Sequence, residues 1–402
     1  MLLPIFLVVL ADVFALTLVL PLLAIYAEHF GATPLQATLL VTVFAACQMV
    51  SGPMLGRISD RVGRKPMLVI SQVGTLVGLL VMAAAQSLPV LFLARVIDGA
   101  TAGNLSLAQA YIADNTAPDD RAKSFAVIGI AFGLGFFIGP AATGYLVKHG
   151  LRAPIYAAAL LSLTSILCTA TLLENEVPGT KHGGDDADLP GGKRLGVGQW
   201  GAYAHYFRRP VMAGLLLQFF LFAFAFATFT SGFALFAERR LVWDGHPFTP
   251  REIGAVFAFA GFLGIILQGG LIGRLVARFG EPALVLAGFA SMAAGFALLG
   301  FTYTVGLLPV VATLTAFGQG VLRPTLTALV SRIAPREEQG VVLGLSQSLT
   351  SLAQMTAPPL GGWLIGRGAL GPWAFAAAVA SVGGLVVVRW GSGRALPSRS
   401  KA

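Results

Sequence analysis

Charge is what this sequence has least of. Asp, Glu, Lys and Arg together make up 11% of its 402 residues, where a soluble domain carries about 25%. That shortage excludes a water-exposed surface over most of the chain. Cysteine is almost missing as well. Cys47 and Cys168 both lie inside apolar runs, which excludes a disulfide framework and leaves them as small hydrophobes. No G-x-x-x-x-G-K-[ST] loop occurs, so the common nucleotide-phosphate cradle is excluded. No metal-ligand cluster or nucleophile constellation rises above background. An enzyme is not expected, nor is any cofactor or resident metal.

What is present is apolar. The hydrophobic fraction is 56%, and glycine, at 49 residues, is abundant. Glycine is costly in a soluble helix but frequent where membrane helices approach closely. A span needs about 20 apolar residues. Candidates run near 2–26, 36–56, 67–86, 89–112, 122–147 and 153–173, then 210–237, 251–272, 283–303, 306–330, 339–365 and 371–390. The first lacks a basic leader and a small-residue cleavage site, and carries Asp12, so it reads as a span rather than a signal peptide. The expected fold is an all-α polytopic membrane protein of twelve transmembrane helices in two six-helix halves. The halves are 1–173 and 210–391, joined by a linker at 174–209 and followed by a tail at 392–402.

The net charge of +9 raises nucleic acid as a partner, but its distribution points to loops. With both termini placed in the cytoplasm, inner loops and tail hold 19 Lys and Arg against 6 in outer loops. The positive-inside rule therefore orients the chain, with no nucleic-acid partner implied. The expected setting is a bacterial inner membrane, multi-pass, with both termini cytoplasmic. In the linker, His182, Asp185, Asp186 and Asp188 allow a metal reading. The surrounding Gly-rich, charged composition favours a solvated connector.

The two halves repeat. Gly56-Arg-Ile-Ser-Asp-Arg-Val-Gly63 returns as Gly273-Arg-Leu-Val-Ala-Arg-Phe-Gly280, an offset of 217. Ala117-Pro118 and Ala334-Pro335 repeat at 217, and Pro140-Ala-Ala-Thr-Gly and Pro358-Pro-Leu-Gly-Gly at 218. Halves repeated in parallel are related by an axis along the membrane normal, with the binding site near the midplane between them.

The loop Gly56 to Pro66, GRISDRVGRKP, resembles the loop between helices two and three of the major facilitator superfamily. Arg95-Val-Ile-Asp-Gly99 is similar to that family's fourth-helix motif. Gly129, Gly133, Gly135, Gly139-Pro140 and Gly144 are similar to the fifth-helix pattern of its drug:proton antiporter branch, and Asp12 followed by Pro21 to that branch's first helix. The run from Tyr111 to Pro140 resembles the tetracycline-efflux-like subgroup. Tetracycline pumps carry extra acidic or His groups in helices three, eight and nine, at places corresponding here to Gly78, Gly264 and Met292. The resemblance thus implies a multidrug or other organic solute. It also implies that Asp60 docks against the start of helix eleven, near Gln339-Gly340, where a helix N-terminus attracts a carboxylate.

Asp12 stands about ten residues into its span, about 15 Å deep. A charge there costs at least about 2.5–3.5 kcal/mol. The neutral acid costs less, which suits Asp12 to proton exchange; a neutral Asp bonded to a neighbouring helix is the alternative. Arg95 and Asp98 are three apart, on one helix face. Arg95 keeps its proton and can only pair or release a carboxylate, so Asp98 is either a second proton site or the partner of Arg95. The proton-coupling set is Asp12, Arg95 and Asp98.

Amides inside spans are candidates for the solute path: Gln48, Asn104, Gln109, Gln218, Gln268, Gln319 and Gln354, with Gln347 in reserve. Interhelical bonding is the default for any one of them. The conformational gate is expected at Gly56, Arg57, Asp60, Arg61, Gly63, Arg64 and Lys65, and along the fifth span at Gly129, Gly133, Gly135, Gly139, Pro140 and Gly144. There, small-xxx-small pairs permit close contact. Arg323, about 10 Å from a span end, could snorkel. The Phe-rich seventh span packs or faces lipid, with a minority of rings available to a flat solute. Together these features predict a secondary transporter. It would exchange protons for small organic solutes or drugs by alternating access, as a monomer in the lipid bilayer. A proton-coupled importer and a non-transporting receptor on the same scaffold are the alternatives.

Overall fold

The computed structural model describes residues 2–115, 121–173, 206–334 and 339–392. The linker from 174 to 205, with His182, Asp185, Asp186 and Asp188, and the tail from 393 lie outside the described residues. Among the described residues, ten helical stretches are long and apolar enough to cross a bilayer, and the pair Leu3–Val19 with Leu23–His29 makes an eleventh if taken as one bent span. The helix Gln339–Gly366, 28 residues long and so about 42 Å, stands where the eleventh of the twelve expected spans belongs. The strands Val242–Trp243 and His246–Pro247 pair antiparallel in a short hairpin. It marks one end of the molecule. The other end carries Arg57, Arg61, Arg64, Arg274, Arg278 and Arg332, and is called the basic end below.

Packing repeats with the sequence. In the first half, span one lies against spans five and six, span three against four and six, and span two against four. In the second half, span seven lies against eleven and twelve, nine against ten and twelve, and eight against ten. Each neighbour relation returns six spans later. Across the halves, span two packs along eleven and span five along eight. Those two contacts exchange under the repeat, so the halves meet through a pseudo-symmetric interface. Spans six and twelve lie outermost and expose Leu160, Leu167, Val379 and Val386. Such a surface requires an apolar solvent.

Start signals also repeat. Thr33-Pro34 begins span two and Thr249-Pro250 begins span eight, each as a capping box with Pro at the first helical position. Thr33 N donates to Gln36 Oε1 at 2.9 Å, and Thr249 N to Glu252 Oε2 at 2.9 Å. The loop Gly56–Pro66 is mostly helix, which corrects the expected boundary. Span two continues to Val62, Gly63 turns the chain at φ 105°, and the next helix starts at Arg64. Gly280 does the same at φ 77° after span eight. Positive φ is what fixes glycine at both places.

Three expected spans are interrupted. Span one bends by 43° between Val19 and Leu23, at Pro21, which lacks the N–H that would continue the ladder. Span four, expected unbroken over 89–112, divides into Leu88–Ala100 and Asn104–Asn115. Span eight carries a π-helical segment, Leu267–Leu271, before its last piece Ile272–Phe279.

Candidate functional site

The break in span four organises the site. Non-helical backbone at membrane depth survives only where protein groups satisfy it. Ser51 Oγ of span two donates to Gly99 O at 2.8 Å. Ser71 Oγ of span three donates to Thr101 O and accepts from Gly103 N, the latter at 2.9 Å. Gly74 packs directly on Thr101, leaving no room there for a larger residue. Asp98 and Asn104 flank the break.

Asp12 of span one faces it. Its carboxyl lies beside Ser165 of span six, Gln72 of span three and Asn104 of span four, within electrostatic reach of Asp98. Gln72 Nε2 donates to Ser165 Oγ at 2.7 Å, which fixes the amide and turns Gln72 Oε1 away from the serine. That oxygen and Asn104 Oδ1 are buried without a partner among the described residues. Asp98 is held by Arg95, whose Nη1 donates to Asp98 Oδ2 at 2.9 Å, and by Thr75. The buried Arg95 guanidinium stands over the Phe44 ring at 4.3 Å, which adds a cation–π contact. Four spans thus deliver two carboxyls, one guanidinium, two amides and two hydroxyls to one place.

The three proton-coupling candidates and Asn104 are brought together. Gln72, Ser165 and Thr75 belong to the same cluster and were not among the sequence candidates. The other amides are not among the groups described beside Asp12 or Asp98. Gln218 is buried and Gln48, Gln319 and Gln354 are half-buried, whereas Gln109, Gln268 and Gln347 are exposed. A signal for the missed residues exists in the repeat. At an offset of 217, Asp12, Gln72, Asp98, Asn104 and Ser165 answer to Phe229, Phe289, Thr315, Val321 and Val382. Polar positions in one copy are largely apolar in the other. Phe229 packs on Phe233, Phe257 and Phe296 with ring centroids 4.9–5.7 Å apart, so the seventh-span rings described there form a core.

The gate residues divide by end. Toward the hairpin end the halves touch backbone to backbone. A methyl group added at Gly144 would stand 3.0 Å from the Arg251 backbone, at Gly261 2.5 Å from the Phe136 carbonyl, and at Gly362 2.6 Å from the Pro34 carbonyl. Gly254 sits on the Pro140 carbonyl, and Gly139 packs within its own half on Thr17. Thr42 Oγ1 donates across the halves to Met355 O at 3.2 Å, and Arg239 pairs with Glu28 across spans seven and one. Toward the basic end, a methyl at Gly56, Gly129, Gly264, Gly269, Gly273 or Gly344 would meet nothing within 4 Å. The interface is closed at the hairpin end and open at the basic end.

At the basic end each half carries its own clamp. Arg64 Nη2 pairs with Asp60 at 2.6 Å and Arg64 Nε with Asp114 at 2.8 Å, tying span two to spans three and four. Lys65 Nζ donates to Leu173 O at 2.6 Å. In the second half Glu281 occupies the place of Arg64 and pairs with Arg332 of span ten. The bridge is repeated with its charges exchanged.

Two repeated halves of membrane-length helices, closed toward one end around buried acids, are the architecture of a membrane transporter. The chain belongs to the Major Facilitator Superfamily, whose profile matches residues 5–281 and again 246–401. It is a membrane transporter and not an enzyme. The class C tetracycline resistance protein of Escherichia coli is 31% identical over 334 residues, covering 83% of this chain and 78% of that protein. Multidrug resistance protein 2 of Bacillus subtilis is 28% identical over 403 residues, covering 96% and 94%. These relatives agree with the drug:proton antiporter branch that the motifs resemble. Among solved structures, the human organic anion transporter MFSD10 superposes with a TM-score of 0.71 at 23% identity, covering 96% of this chain and 98% of that one. A peptide transporter, POT, superposes at 0.76 and 15% identity, covering 97% and 94%. At these identities the likeness concerns the fold.

Proposed function

We propose that this transporter exports small organic solutes from a bacterial cytoplasm in exchange for protons, with Asp12 as the principal proton site. The observation that carries the reading is the surroundings of Asp12. Ser165, Gln72 and Asn104 surround the Asp12 carboxyl with side-chain hydrogen bonds, and no cation is among these partners. An anion without a cationic partner is costly inside a bundle whereas the neutral acid is not, so Asp12 is suited to take up and release a proton. Gain or loss of that proton changes the hydrogen bonds that join span one to spans three, four and six, and so couples the proton to their arrangement. Because span four also holds Arg95 and Asp98, that coupling reaches the second carboxyl. Proton entry is favoured by about 2.3 kcal/mol per charge per 100 mV of membrane potential.

The basic end is assigned to the cytoplasm by its Lys and Arg excess. The structure then corresponds to the inward-open state, ready to take solute from inside. Closing the basic end would bring the start of span eleven toward Asp60, whose described partner is Arg64. The names of the relatives support drug-like cargo. Two of the three places where tetracycline pumps carry additional charged groups are packed here. Gly78 lies against Asp98, where an added methyl would stand 2.9 Å from its Cβ, and Met292 is fully buried. An organic solute other than tetracycline is therefore favoured.

The test is proton movement in everted vesicles whose lumen is acidified by respiration, with cationic, neutral and anionic drugs added in turn. Lumenal protons should be released on adding a transported compound, and Asp12→Asn should abolish the release while leaving the protein inserted. Uphill transport at the wild-type rate by Asp12→Asn would overturn the proton role. Uptake into right-side-out vesicles coupled to proton influx would replace export by import.

A further inference from the structure

Two arginines lie within the spans, and the structure treats them oppositely. Arg95 is buried and ion-paired with Asp98. Arg323 of span ten is exposed, although Leu322 and Leu326 beside it are fully buried, and it has no carboxylate partner among the described residues. It stands ten residues before the helix end at Ile333, about 15 Å from it. Its guanidinium does not run along its own helix toward the basic end. It crosses to the other half, where Cζ stands 5.5 Å over the Phe132 ring of span five. The halves part just below this level, since a methyl at Gly133 would still meet Ile265 of span eight at 3.2 Å whereas one at Gly129 would meet nothing within 4 Å.

Three further features converge there. Gln319 lies one helical turn from Arg323 on the same face. The π segment Leu267–Leu271 packs against both span five and span ten, with Leu267 set against Gly320. The next residue, Gln268, is exposed. π segments recur at functional sites because the widened turn frees backbone groups. Phe132 stacks on Phe136 at 6.4 Å and so extends an aromatic wall beside the cation. An unpaired intramembrane arginine is costly, and such residues mark ligand or ion pathways. The guanidinium fork matches a carboxylate or sulfonate in two parallel hydrogen bonds.

We propose that Arg323, with Gln319 and the Phe132 ring, forms an anion-recognition subsite between the halves. It selects organic solutes that join a carboxylate or sulfonate to a flat apolar body. The subsite deepens the export reading but does not depend on proton coupling. The second half would supply the solute's counter-charge while the first half handles the proton.

The test uses one aromatic body with three charges: 2-naphthoate, 2-naphthylmethanol and 2-naphthylmethylammonium. Binding to the purified full chain is measured by calorimetry in nanodiscs of zwitterionic lipid, so that no anionic headgroup competes. The wild type should bind naphthoate at least about tenfold more tightly than the other two, the scale of one charge-assisted contact. Arg323→Gln should erase that preference, and Arg323→Lys should keep part of it. Nanodiscs hold no proton gradient, so a preference measured in them separates this subsite from the proton reading. Three results overturn the proposal: no measurable naphthoate binding by the wild type, no charge preference in the wild type, or a preference that survives Arg323→Gln. If Arg323→Gln does not fold, the wild-type series and Arg323→Lys still decide.

Discussion

At the residue scale the chain shows two ways of keeping charge inside an apolar bundle. Arg95 and Asp98 neutralise each other, and Asp12 is surrounded by uncharged polar groups. The difference matters because a paired charge is held in place whereas an acid among amides can change its protonation at small cost. Gln72→Leu should therefore slow proton-coupled transport while leaving insertion and solute binding near wild type, a split that vesicle assays and calorimetry can read separately. Gly78→Asp, which restores an acidic group where tetracycline pumps have one, should not confer tetracycline transport. Its side chain meets Asp98 Cβ and the Ala94 carbonyl, 2.9 and 3.1 Å from the first added atom. Overpacking of this kind costs about 1–3 kcal/mol, visible as a lower melting temperature in detergent. The exchanged bridge offers a cleaner case. Glu281→Arg or Arg332→Glu alone should lower stability, and the double reversal should recover most of the loss in a double-mutant cycle.

At the scale of elements, the spans were legible from apolar run length, but the interruptions were not. Span four has no proline at its break, and its residues stay apolar enough to read as one helix. The groups that allow the break, Ser51 and Ser71, come from spans two and three, so no local pattern announces it. Pro21 was visible, yet only packing decides whether such a proline bends a helix or ends it. Of the site, Asp12, Arg95 and Asp98 stood out because charge in an apolar run is conspicuous. Gln72 and Ser165 did not, because serine and glutamine inside spans serve ordinary interhelical bonding more often than not. The glycine contacts carry a prediction at this scale. Gly261→Val should wedge span eight away from the Phe136 carbonyl and loosen the hairpin end. A cysteine reporter placed at Ser87, an exposed position at that end, gives no such change. One at Pro250 should become more accessible to a membrane-impermeant thiol reagent. Unchanged labelling at Pro250 would count against glycine contacts as the seal.

At the scale of the whole molecule, the two inter-half contacts are equivalent under the repeat, so a rocking of the halves would loosen both together at the hairpin end. A disulfide between cysteines introduced at Gly144 and Arg251, which are in backbone contact, should form readily and arrest transport, with activity returning on reduction. A pair at Gly129 and Gly273, on the open side, should not cross-link in the same state. Transport that continues with the first pair bridged would show that the hairpin end need not open.

The repeat also says something about history. A duplicated six-helix unit began with two equal copies, and here one has kept acids and amides at the positions where the other now holds Phe229, Phe289 and Val321. The two copies therefore present different chemistry at equivalent places. In a scan of all substitutions, the first copy should reject loss of charge at its centre and the second should reject its gain. The boundary between those two patterns of tolerance would trace the ancestral duplication along the chain.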